Sequence, residues 1–281
     1  MQAKRLPAAR GWFWFVGGLK LWQRNPAIVG LAAMLSFLLS GLVGSVPWIG
    51  SLLICLIGPF LDIFLLHVCH AVSLERRVNP KVLTSGFVAI FQRNGNARVN
   101  GLLILGVVTF VGLMLGKGLM TLVAGESLQQ IAASSEAASA TMANAAAGAS
   151  LPQAAIAPVA LPFNAMLALL FNLLGISVLS IVMWIAPALT AFADVPPVKS
   201  LFFSVIACWR NKAAFLVFGL SLAGLSVPLS IIMLFGGVGQ AVAVMVLFGV
   251  LMPACLASNY LSLTDIFGPL QQAPRANEHD A

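Results

Sequence analysis

Between Lys212 and Asp265 the chain carries no Asp, Glu, Lys or Arg, and the stretch is broken only by a glycine-rich turn at Gly236 to Gly239. Two consecutive apolar runs of this length have no place in a soluble core, because neither offers a polar face to water. Four further runs cover about 26–43, 48–72, 99–123 and 161–193, and the pair after Lys212 covers about 213–235 and 238–262. At roughly 1.5 Å per residue, each can cross a hydrocarbon core about 30 Å thick as a helix. Only 8% of the 281 side chains are charged, against about 25% in an average soluble domain. The chain is therefore expected to be an all-α polytopic membrane protein with six transmembrane helices.

Short aromatic and basic segments precede every second run. In Pro197 to Asn211, the residues Val198, Leu201, Phe202, Val205, Ile206 and Trp209 recur at the spacing of one helical face. The segment ends Trp209-Arg210-Asn211, and the same punctuation appears at Trp22-Gln23-Arg24-Asn25 and Phe91-Gln92-Arg93-Asn94. Each reads as an amphipathic helix lying in the membrane interface, anchored by Trp22 and Arg24, Phe91 and Arg93, or Trp209 and Arg210. Asn25, followed by Pro26, and Asn211 are expected to cap the helices that follow. Interfacial helix, span, span is thus read as a threefold internal repeat, with units at about 8–79, 80–193 and 194–266 of one membrane domain spanning 1–268. Independent origin of the three aromatic-Arg-Asn signals is the competing account, because arginine snorkels and asparagine caps for general reasons.

Charge sets the orientation. With both termini in the cytoplasm, fourteen of the fifteen Lys and Arg residues fall on the inner side, and Lys117 alone lies near the outer end of a span. The net charge of +7 therefore points to anionic lipid headgroups on the cytoplasmic leaflet and away from nucleic acid. None of Cys55, Cys69, Cys208 and Cys255 falls in an external segment, so no disulfide framework is expected. The Ala- and Ser-rich stretch 125–160 is expected to be an external loop or a marginal extension of the third span, and 269–281 a disordered cytoplasmic tail.

Prolines 59, 187 and 253 fall in the second span of each unit. Pro59 is expected to kink its helix and to strip the Cys55 carbonyl of its usual donor. Gly112 and Gly116 form a small-xxx-small pair, read as close packing within the bundle or as a dimer face.

Polar chemistry within the spans is sparse. Asp62 is the one acidic residue deep in a run, where a charge costs at least about 2.5 to 3.5 kcal/mol. It is read as a neutral, hydrogen-bonded acid or as a step on a proton or cation path. His67 and His70, spaced to share a metal if another helix supplied ligands, read otherwise as interfacial or packing residues. Lys117 either snorkels outward or leans toward Asp62. Neither a zinc-protease motif, a serine-hydrolase elbow nor a P-loop is present, and no cofactor is expected.

The opening Ala3-Lys4-Arg5-Leu6-Pro7-Ala8, then Gly11-Trp12, Arg24-Asn25-Pro26, Trp209-Arg210-Asn211 and Asp265-Ile266-Phe267-Gly268, resemble a family of uncharacterised proteobacterial inner-membrane proteins. That family is similar to the membrane domain attached to some glycerophosphodiester phosphodiesterases. The resemblance implies a six-span protein of the bacterial inner membrane and carries no catalytic residues. Two functions follow as expectations. One is a non-catalytic scaffold or accessory protein that binds lipid and possible membrane-protein partners; the other is a small-solute or ion transporter using Asp62.

Overall fold

A computed structural model describes residues 3–74, 79–92, 95–146, 163–233 and 237–268. Among these the chain is helical and without strands. The helices are α1 (Arg10–Arg24), α2 (Pro26–Gly44), α3 (Gly50–Leu74), α4 (Lys81–Gln92), α5 (Gly95–Ala146) and α6 (Phe163–Met183), followed by α7 (Ala186–Phe192), α8 (Pro197–Arg210), α9 (Lys212–Met233), α10 (Gly237–Val246) and α11 (Met252–Phe267). Among the described residues, six stretches are long and apolar enough to cross a membrane: Pro26–Gly44, Gly50–Leu74, Asn96–Val123, Met166–Phe192, Lys212–Ile232 and Gly237–Phe267. These match the six runs read from composition. A helix of 15, 12 or 14 residues precedes each successive pair.

The chain divides into two compact units, Met1–Phe110 with Ile181–Ala281, and Val111–Ser180. In the smaller unit, a Cβ on Gly112 would stand 3.0 Å from Leu179, whereas one on Gly116 would meet nothing within 4 Å. Among the described residues, only the first of the two glycines therefore marks a close approach. Helix α5 continues through 125–146, where a loop is the primary expectation. Alanine is the best helix former, and extending an existing helix avoids the nucleation cost. The remainder of the 125–160 stretch, together with the 269–281 tail, lies outside the described residues.

In the larger unit, α1 packs against α9 and α11. Its Gly11 touches the backbone of Ala214 and Phe218, and its Gly18 touches Ser258 and the Ala254 carbonyl; a Cβ at either position would overlap those atoms. Without side chains at these two points the helix backbones come into contact. Trp14 and Leu21 are buried on the same face, and the Trp14 ring lies 5.1 Å from Phe215. Helix α1 is thus built into the bundle on one side. The core continues through Ile63 to Val72 of α3, Leu102 and Leu105 of α5, Ile185 to Ala191, and Ala257 to Ile266 of α11. Away from it, the far ends of α2 and α9 leave Phe37, Leu38, Leu42, Val227 and Ile231 exposed, as lipid-facing surface is in a spanning helix.

The three prolines behave differently. Helix α3 runs unbroken through Pro59, and the backbone of Gly106 lies against the Cys55 carbonyl that Pro59 cannot serve, so close that a Cβ would sit 2.6 Å from that oxygen. Before Pro187 the helix breaks between α6 and α7. Ahead of Pro253 a π-helical turn, Leu247–Leu251, takes up the misfit.

Candidate functional site

Asp62 lies at the centre of the 25-residue helix α3, about 18 Å from either end at the helical rise. It is half-buried, and among the described residues no hydrogen bond or ion pair holds its carboxylate. Lys117 is exposed in the Val111–Ser180 unit, while Asp62 belongs to the other.

Two turns further along α3, His70 joins a polar circuit instead of a metal cluster. Its Nδ1 is 2.9 Å from the hydroxyl of Tyr260, which is 2.9 Å from Ser73 Oγ. Ser73 in turn donates to the His70 carbonyl at 2.6 Å. Because the Ser73 proton is committed there, the circuit closes if Tyr260 donates to Ser73 and His70 donates from Nδ1. That leaves His70 Nε2 as an acceptor. His67 is half-buried on the same helix, and no three His, Cys, Asp or Glu side chains converge among the described residues.

A second polar centre joins the two ends of the chain. Arg10 donates through Nε and Nη2 to the two carboxylate oxygens of Asp265, each at 2.7 Å, and Trp14 Nε1 adds a bond at 2.9 Å. Bonding to Asp265 raises the Arg10 guanidinium above its ordinary value, so it stays charged throughout. Lys4 donates its backbone N–H to the Ile266 carbonyl at 3.0 Å. Asn211, only 1% exposed, accepts from Leu6 N at 2.8 Å and donates to the carbonyls of Lys4 and Ala207 at 3.0 and 2.8 Å.

This corrects the expected role of Asn211. Its side chain closes the end of α8 and pins residues 4–6, so it does not cap α9. Asn25 does cap α2, accepting from Ile28 N at 3.3 Å ahead of Pro26. Trp22 is half-buried against the core with its Nε1 buried and unpartnered among the described residues. Arg24 is exposed and reaches the Ser73 carbonyl at 3.2 Å. Trp209 and Arg210 are exposed; the Phe91 side chain and Arg93 lie outside the described residues.

The broken span between α6 and α7 is closed from the side. Ser204 Oγ of α8 donates to the Ile181 carbonyl at 3.0 Å and accepts from Ile185 N at 3.2 Å, standing in for the lost helical bond between them. Cys208 Sγ also reaches the Ile181 carbonyl, at 3.6 Å, and Thr190 donates to Ser200 at 2.9 Å. Burial pushes the Cys208 thiol up to about 12, with its side-chain contact to Ser204 working the other way. The sequence signal for this site was present in the serines of α8 at i and i+4, which sit opposite its apolar face.

A probable inner membrane protein of Burkholderia thailandensis is 33% identical over 225 residues, covering 78% of this chain and 74% of that protein. Searches of family models and of solved structures return no match.

Proposed function

The chain belongs to the family of that inner-membrane relative, and on this premise we propose that it is a non-catalytic scaffold of the bacterial inner membrane, holding lipid and membrane-protein partners. The observation that carries the reading is the closed break at Ile181 to Ile185. Transporters place unwound backbone at a polar cavity so that freed N–H and C=O groups meet the substrate. Here Ser204 and Cys208 occupy the Ile181 carbonyl, and Ser204 also takes the Ile185 N–H. The distribution of Lys and Arg supports a cytoplasmic position for both termini. The order of α1–α3, α4–α7 and α8–α11 supports three units of common origin.

A second reading, a proton or cation carrier working through Asp62, is favoured by one observation. A mid-span carboxylate such as Asp62, for which the described residues supply no partner, is expensive to keep. Reconstitution into proteoliposomes separates the two. Proton and monovalent-cation flux no greater than in empty vesicles is expected for the wild-type protein and for Asp62→Asn alike. A flux present in the wild type and lost in Asp62→Asn would replace the scaffold with the carrier.

A further inference from the structure

Helix α8 is turned inside out relative to an amphipathic helix on a soluble protein. Its small and polar residues Ser200, Ser204, Cys208 and, just beyond, Asn211 are buried. Its apolar ridge faces outward: Val198 is 76% exposed, Phe202 62%, Val205 39% and Trp209 72%. On a helical wheel Lys199 and Arg210 project roughly a quarter-turn from this ridge, on the flank away from Val205, and both are exposed. Lys212, at the start of α9, places Nζ 5.0 Å from the centroid of the Trp209 ring. The nearest acid along the chain, Asp194, is engaged by Arg98 at 2.8 Å.

We propose that the outward face of α8 is a docking ridge for anionic phospholipid. Val198, Phe202, Val205 and Trp209 sink to the acyl boundary, and Lys199, Arg210 and Lys212 take the phosphate and headgroup oxygens. Charge complementarity selects this occupant. Three cations beside a bare apolar ridge, with no uncommitted acid on the helix, suit a surface that is greasy below and negative above. The opposite face holds α8 rigid through the bonds of Ser204 to Ile181 and Ile185, so little ordering entropy is lost on docking. By contrast, α1 buries the face that carries Trp14 and Leu21 against protein. The inference deepens the scaffold reading and rests on it for the lipid environment.

The test uses the full chain in vesicles carrying equal mole fractions of acyl-brominated phosphatidylglycerol or phosphatidylcholine. Quenching of wild-type fluorescence minus that of Trp209→Phe isolates Trp209. Phosphatidylglycerol is expected to quench Trp209 at least about twofold more than phosphatidylcholine. The preference is expected to vanish in Lys199→Gln/Arg210→Gln/Lys212→Gln and to survive in Lys199→Arg/Arg210→Lys/Lys212→Arg. Equal quenching of the wild type by both lipids, or a preference that persists in the triple glutamine variant, would overturn the proposal. So would a Trp209 that neither lipid quenches, which would mean that protein covers the ridge. None of these results bears on the flux experiment, so the scaffold reading stands or falls separately.

Discussion

Asp265 receives both donor nitrogens of the Arg10 fork at 2.7 Å, tying the first helix of the chain to the last. The pair lies 255 residues apart in sequence, so it closes the larger unit in a way that no local interaction can. Its arginine is 41% exposed and its carboxylate 19%, which keeps its contribution well below that of a fully buried pair. Asp265→Asn is expected to cost about 1 to 2 kcal/mol, read as a lower melting temperature in detergent. Trp14→Phe removes one hydrogen bond, keeps the packing on Phe215, and costs about 1 kcal/mol. An Asp265→Asn protein that melts with the wild type would remove the closing role assigned to the pair.

Asn25 and Asn211 follow the same dipeptide pattern and are expected to respond differently. Asn25→Ala loses one N-cap bond, worth about 1 kcal/mol. Asn211→Ala loses three bonds and frees residues 4–6, for about 2 kcal/mol or more. Trypsin should then cut after Lys4 and Arg5 several-fold faster than in the wild type, whereas Asn25→Ala leaves that rate unchanged.

Gly106 and Gly116 separate packing from pattern. A Cβ at Gly106 would lie 2.6 Å from the Cys55 carbonyl and 2.7 Å from the Leu56 backbone, while one at Gly116 meets nothing within 4 Å. Gly106→Ala is expected to destabilise by about 1 to 3 kcal/mol as α5 is forced away from α3. Gly116→Ala is expected to be neutral or to stabilise by up to about 1 kcal/mol through helix propensity. Thermal melts of the two variants give the comparison directly.

The Cys208 thiol, pushed up to about 12 by burial, holds almost no thiolate at neutral pH. Because the thiolate is the nucleophile, alkylation at pH 7.5 should be more than about a hundredfold slower than at an exposed cysteine such as Lys199→Cys. The rate should climb about tenfold per pH unit toward 12 while the fold holds. Peptide-mapped labelling by N-ethylmaleimide measures both; rapid labelling of Cys208 at pH 7.5 in the folded protein would contradict its buried position.

Orientation is tested by the same chemistry from outside intact cells. A membrane-impermeant maleimide should label Lys117→Cys and leave Lys199→Cys untouched until the cells are opened. The reverse pattern would invert the topology and move the proposed lipid ridge to the other leaflet.

The six spans were legible in the sequence because an apolar run long enough to cross a bilayer needs no tertiary partner to declare itself. Capping by Asn25 was legible as well, since the asparagine and Pro26 act within four residues of each other. What Asn211 does was not, although its neighbourhood reads almost the same, because its partners Lys4 and Leu6 lie more than 200 residues away. Asp265 was passed over for the same reason: its position beside a polar tail hid the helix end that Arg10 grips.

Composition and helical spacing by themselves determined that this chain is a six-span helical membrane protein and where its basic residues gather, because transfer of a side chain between water and lipid is a property of that side chain. Tertiary structure decided which glycine lets two backbones touch, how the break before Pro187 is closed by Ser204, and that the apolar ridge of α8 faces away from the protein. Those outcomes depend on pairs of groups distant in the chain, and a pair has no energy until the fold brings its members together.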